Sequence, residues 1–207
     1  MFLMGKVKSF MDKLLSIAPG WFYGLLSAVS GVVFVFISFY QAPKEGIFEN
    51  YISNLGVQSG FAGLCFNLGL IIAGLLAVPF FVYIGRALER EGLNVKWRNR
   101  TVIISIIASI TLSVIGFLPA YNFTIGVVHA TLAGVFFYCA LAYCVLYSLL
   151  MWPDPRYSRI QSIIGFSVAG VFAIFLLTGW VILEWALFFA IAFYVSELAI
   201  YVLIKKI

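Results

Sequence analysis

Long apolar runs separated by short polar segments set the pattern of the chain. Uncharged, mostly apolar stretches occupy residues 21–40, 61–84, 101–118 and 125–151, each close to or above the ~20 residues that one helical crossing of a bilayer core needs. From 160 to 204 the sequence is almost continuously apolar. At 1.5 Å per residue that stretch would reach roughly 67 Å, about twice the thickness of a hydrocarbon core, so it must double back. The turn is predicted within 178–185, where Thr178, Gly179, Trp180, Glu184 and Trp185 bring polar, glycine and interfacial aromatic residues together. Helices over 160–183 and 184–204 follow. The pattern predicts an all-α polytopic membrane protein, a bundle of six transmembrane helices.

Ahead of the first run, Phe2, Leu3, Val7, Phe10, Met11, Leu14 and Leu15 recur at helical spacing, with Lys6, Ser9 and Lys13 on the other side. Residues 1–19 therefore predict an amphipathic interfacial helix stopped at Pro19 and Gly20, and residues 20–207 a six-helix transmembrane domain. The first run is about twice as long as a signal-peptide core, so it reads as a retained helix. Pro79 is expected to kink the second span.

The charges sharpen the topology. With the N-terminus in the cytoplasm, all thirteen basic residues except Lys44 fall on the cytoplasmic side. These include Lys6, Lys8 and Lys13 before the first span, Arg86, Arg90, Lys96, Arg98 and Arg100 in a loop over 86–100, Arg156 and Arg159 in another, and Lys205 and Lys206 at the end. So one-sided a division predicts a multi-pass protein of the cell membrane with both termini cytoplasmic.

Composition agrees and excludes several classes. The 207 residues are 64% hydrophobic and only 10% charged, with a mean hydropathy of +1.09, too apolar for a soluble domain. The net charge of +5 is spread over interhelical segments, which argues for membrane lipids as partners and against nucleic acid. Cys65, Cys139 and Cys144 all lie in apolar runs and form no CxxC pair, reading as small hydrophobes. No HExxH, GxSxG, P-loop or dinucleotide-binding glycine pattern occurs, and the only aspartates, Asp12 and Asp154, fall outside the spans. No metal, cofactor or catalytic residue is expected. Small residues recur at Gly20, Gly24, Ser27 and Gly31, at Gly126, Ala130 and Gly134, and at Gly165, Ala169 and Ala173. Such stripes let helix backbones meet inside the bundle, or in a homo-oligomer.

Ionisable and amide groups inside a span are costly, and each is a functional candidate. Counting residues from the span ends places His129, Asn67 and Glu184 in the outer leaflet. The long outer loop adds Glu45, Glu49, Asn50, Ser53, Asn54 and Gln58. An outward pocket between the second, fourth and sixth spans, lidded by this loop, would join His129, Asn67, Glu184, Asn54, Ser53 and Glu49 as ligand-binding residues. An interhelical hydrogen bond that merely holds the bundle is the competing account of His129. In the loop, Ser53 and Asn54 can bond nearby backbone, Gly56 can take a positive φ, and Asn67 can satisfy loop backbone. Glu197, in the cytoplasmic half of the last span, reads as an intramembrane ion pair with Arg86 or Arg159, a partner of Tyr83, or a relay.

Two stretches carry a resemblance. Tyr51, Ile52, Ser53, Asn54, Leu55 and Gly56 in succession, then Phe66, Asn67, Leu68 and Gly69 with Ile71, Ile72, Ala73 and Gly74, resemble an uncharacterised six-span membrane family of archaea and bacteria, a domain of unknown function. Ile115, Gly116, Phe117, Leu118 and Pro119, followed by His129, Phe136 and Phe137, are similar to the same pattern. That pattern marks Ser53, Asn54, Gly56, Asn67, Gly69 and His129. Glu184 and Trp185 resemble the start of the last helix in a wider group that includes the DRAM and Sfk membrane proteins and a eukaryotic GPI-anchor remodelling factor. The resemblance implies six helices and a link to lipids or membrane organisation; an activity carried over from it would be analogy of fold.

Three functions remain open. A non-enzymatic protein binding a lipid headgroup or small amphiphile leads, followed by a small-solute or ion transporter or channel. A lipid-modifying enzyme using His129 and Glu184 comes third.

Overall fold

The computed structural model describes residues 2–89 and 94–207, with side chains from residue 8 onward. Its described residues are helical and loop, with no strand. In chain order the helices are α1 (Phe2–Ile17), α2 (Gly20–Tyr40), α3 (Phe61–Ala87), α4 (Val95–Phe117), α5 (Phe123–Met151), α6 (Arg159–Thr178) and α7 (Val181–Lys205). A short 3-10 helix, Ile52–Val57, lies in the α2–α3 loop. Helices α2 to α7 are each long and apolar enough to cross a membrane, which makes this a multi-pass membrane protein.

Local chemistry explains where the helix ends differ from the expectation. The turn between α6 and α7 is tighter than 178–185. Gly179 adopts φ +64°, the left-handed conformation that closes a helix, and donates its N–H to Phe175 O at 2.7 Å, so α7 restarts at Val181. Glu184 consequently sits inside the first turn of α7. Helix α4 starts earlier than residue 101, because Asn94 Oδ1 accepts the N–H groups of Lys96 (3.1 Å) and Trp97 (3.3 Å) as an N-cap. Lys96, Arg98 and Arg100 are thus helical and not loop residues. Arg90, with Glu91, Gly92 and Leu93, lies outside the described residues. Pro79 is inside α3, whose helix nonetheless runs from Phe61 to Ala87.

Helix α1 is tied to the bundle by Arg86, which donates to Asp12 at 2.6 Å, and by the Tyr23 hydroxyl, which donates to Leu14 O at 2.8 Å. Phe10 and Ile17 remain exposed on it. The expected face residues Phe2, Leu3, Lys6 and Val7 lie outside the described side chains.

Consecutive helices from α2 to α7 pack side by side, and α7 closes on α2. The six spans form a ring in chain order. Glycines set the closest approaches: Gly24 faces Phe80, Gly31 faces Ala73, and Gly165 faces Ser148 and Tyr194. The small-residue stripes of α2 and α6 therefore serve contacts within the bundle. That of α5 does not, since Ala130 is exposed and nothing lies within 4 Å of where a Gly134 side chain would begin. Toward the end carrying α1 and the C-terminal residues, Phe80, Phe81, Tyr147, Tyr194 and Leu198 fill the ring axis with fully buried side chains. Toward the opposite end, covered by the 41–60 loop, the axis is not filled.

Candidate functional site

A cavity of about 120 Å³ occupies that unfilled part of the axis and takes its walls from all six spans. His129 on α5, Glu184 on α7 and Ser53 in the 3-10 helix line it together. Along α5 it extends from His129 to Tyr143, about 21 Å at 1.5 Å per residue. Most of its wall is aliphatic and aromatic, including Leu70, Phe136, Leu187 and Ile191. Two further hydroxyls on the wall are spent on backbone: Ser27 donates to Ala73 O and Ser109 to Ser105 O, both at 2.8 Å. Tyr143 adds a phenol at the far end.

Glu184 is only 8% exposed. Its Oε2 accepts the Ser53 N–H and the Ser53 hydroxyl, each at 3.3 Å. Its position in the first turn of α7 places a negative charge where the helix dipole favours one. Among the described residues no Lys or Arg forms an ion pair with it. His129 Nδ1 lies 2.8 Å from Leu118 O, the carbonyl just past the end of α4. A carbonyl can only accept, so Nδ1 carries the hydrogen, and in the neutral tautomer that this selects Nε2 is the acceptor.

The loop over this end is pinned by groups that the residue count did not foresee. Trp185 Nε1 donates to Asn50 O at 2.8 Å, and the Tyr51 hydroxyl donates to Gly179 O at 2.8 Å. With the Ser53–Glu184 bonds these tie the loop to the α6–α7 corner. Interfacial Tyr and Trp in the motif stretches were the available signal, but the partners are backbone carbonyls, which no residue type announces.

Three expected site residues stand apart from the cavity wall. Asn67 turns to the loop, where its Nδ2 donates to Gly56 O at 2.9 Å. Asn54 works through its main chain, donating to Tyr51 O at 3.0 Å and accepting from Gln58 Nε2 at 3.3 Å. Glu49 is exposed. Gly56 is needed for close approach and not for a positive φ. A side chain there would begin 2.8 Å from Asn67 Oδ1 and 3.1 Å from the Phe66 ring, while the positive φ of this loop, +69°, falls at Gly60. Asn67→Ala is therefore expected to lower stability by about 1 kcal/mol, the usual net worth of one hydrogen bond, with lipid co-purification unchanged. Thermal unfolding in detergent together with a lipid assay would check both halves.

Glu197 accepts from Gln161 Nε2, and Gln161 Oε1 accepts from the Ser158 hydroxyl. Ser158 N–H in turn donates to the Tyr201 hydroxyl at 2.9 Å, and Tyr201 donates to Arg156 O at 3.0 Å. This chain fastens α7 to the start of α6 and to the α5–α6 loop. There the fully covered Asp154 holds Arg156 through contacts of 2.8 and 3.1 Å and raises the guanidinium above its ordinary range. The expected ion pair of Glu197 is not formed with the named partners. Arg86 is bound to Asp12, Arg159 lies over the Trp152 ring, and the Tyr83 hydroxyl donates to Ile207 O.

A family described as "Protein of unknown function (DUF998)" matches residues 25–204, which takes in all of the cavity wall and the pinned loop. The chain belongs to this family. No curated protein and no solved structure matches it. The DUF998 match spans α3 to α6 whole, α7 up to its last residue and most of α2, so the cavity lies within the family domain and α1 lies before it.

Proposed function

We propose that this DUF998 protein is a non-enzymatic membrane protein that binds one amphiphile in the axial cavity, head toward His129, Ser53 and Glu184. The apolar body then lies among Leu70, Phe136, Leu187 and Ile191. The observation that carries this reading is the contrast along the cavity: a long apolar wall with a buried carboxylate and an imidazole together at its loop-covered end. Ligand sites are typically apolar clefts with a few placed polar groups. An engineered apolar cavity of comparable size binds small apolar molecules. Kinship with the DRAM and Sfk proteins would point the same way, toward lipids. In this reading the loop-covered end faces outward from the cell membrane and both termini are cytoplasmic. That orientation gathers Lys8, Lys13, Arg86, Arg156, Lys205 and Lys206 on the inner face and leaves Lys44 outside.

The test is lipid retention. Native mass spectrometry of protein extracted in mild detergent should show a bound amphiphile that survives delipidating washes. Ala133→Leu and Ala192→Leu, which place bulk on the cavity wall, should reduce retention by roughly tenfold, about 1.4 kcal/mol. Val128→Leu, on an exposed face, should retain it fully. Equal retention in all four proteins would sink the reading.

One observation favours transport as a second reading. On the terminal side of the cavity, Glu197 Oε2, Ser162 Oγ and the Tyr194 hydroxyl are buried without a hydrogen-bond partner. Solute uptake into proteoliposomes that is lost in Glu197→Gln would favour transport over simple binding.

A further inference from the structure

We propose that the head of the bound amphiphile is a cation, a primary alkylammonium group held by Glu184. This rests on the amphiphile reading above and adds the chemical class of the ligand. Ionised side chains within membrane spans pair with an opposite charge or with strong donors. Glu184 lacks the opposite charge: it is 92% covered, no Lys or Arg among the described residues pairs with it, and its donors are the Ser53 N–H and hydroxyl, both at 3.3 Å, with the Ile52 backbone N–H beside them. Charge-assisted bonds to a carboxylate are usually ~2.7–2.9 Å, so the carboxylate keeps acceptor capacity on the cavity wall.

The neighbours repeat that bias. His129 spends its Nδ1 hydrogen on Leu118 O and presents Nε2 as an acceptor. The Ser53 hydroxyl spends its hydrogen on Glu184 and keeps its lone pairs. The polar end of the cavity therefore offers three acceptors, of which Glu184 is the one that can carry a negative charge. The one lysine in the covering loop, Lys44, is exposed and does not reach the cavity wall. A phosphate or carboxylate head would meet like charge and find no side-chain donor. An ammonium carries one positive charge and three N–H donors, which complements the carboxylate, the imidazole and the hydroxyl.

Three ligands with one chain and different heads test this: dodecylammonium, dodecanol and dodecyl phosphate, titrated against the protein in phosphatidylcholine nanodiscs, with binding read by native mass spectrometry. Wild type should bind dodecylammonium about tenfold tighter than dodecanol and dodecyl phosphate weakest. Glu184→Gln should reduce the ammonium to the level of dodecanol and leave dodecanol unchanged. Ala133→Leu should weaken the ammonium and the alcohol alike. Dodecyl phosphate binding as well as the ammonium, or full ammonium preference in a folded Glu184→Gln protein, overturns the proposal. If Glu184→Gln does not fold, the order of the three heads on wild type decides alone. Equal binding of ammonium and alcohol, both blocked by Ala133→Leu, overturns the cationic head and leaves the amphiphile reading standing. No binding of any of the three overturns both.

Discussion

Gly74→Val is expected to destabilise the bundle by about 1–3 kcal/mol, the usual cost of forcing bulk into a packed contact. Gly116→Val should do the same, and Gly134→Val should stay within about 0.5 kcal/mol of the native protein. The difference comes from what each glycine faces. Helices in lipid gain little from burying apolar surface and associate through close backbone packing. At Gly74 a side chain would run into Ser109 O and would begin 2.8 Å from Ser113 N; at Gly116 it would begin 2.6 Å from Asn67 O. These neighbours are backbone, which a rotamer change cannot move aside. Helix α4 is adapted to the same contact, with Ser113 Oγ donating across to Ile71 O at 3.1 Å. Thr101, Ser105 and Ser109 turn their hydroxyls back onto carbonyls four residues earlier. Unfolding midpoints of the three variants in detergent check the ranking. Equal midpoints for Gly74→Val and Gly134→Val would refute the α3–α4 contact.

Trp185→Ala should cost about 3–5 kcal/mol, as for other large buried aromatics, and should loosen the loop over the cavity. The indole is 5% exposed, meets Phe39 edge-on at 5.2 Å between ring centroids, and donates to Asn50 O. Trp185→Phe keeps most of the packing and loses the hydrogen bond, so about 1 kcal/mol is expected from it. The two substitutions separate packing from pinning when hydrogen exchange is followed over residues 50–58. Faster exchange should accompany both, and more so the alanine. Since Ile52 and Ser53 form part of the cavity wall, the same substitution should weaken amphiphile retention. Unchanged exchange in Trp185→Ala would show that the loop is held by something other than this corner.

The agreement between residue pattern and structure is closest where a single dimension suffices. Span lengths and the doubling back near Gly179 follow from counting, because helical rise per residue is constant and the bilayer core has one thickness. Depth was legible for the same reason, and it brought His129 and Glu184 to one level with Ser53 above them. Azimuth was not. Asn67 shares that level but turns to Gly56 O, which meets the expectation that it satisfies loop backbone and not the one that it lines the pocket, and Gly134 continues a packing stripe into open space. In water an apolar stripe marks the inside of a helix; in lipid both faces are apolar, so neither the inward direction nor the partner of a glycine can be read from the pattern.

Helix α6 and its neighbours show the remaining division. That residues 160–204 contain two helices is a matter of length, but where the turn falls depends on Gly179 taking a left-handed conformation, which frees Val181 to begin α7 and puts Glu184 in its first turn. Six spans, their membrane setting and the level of the polar groups follow from length and composition alone. The closed ring, the cavity along its axis and, among the described residues, the absence of a Lys or Arg paired with Glu184 arise only when the helices pack. Those depend on which faces of six separate helices meet, and in an apolar solvent that is settled by backbone packing and by hydrogen bonds between distant residues.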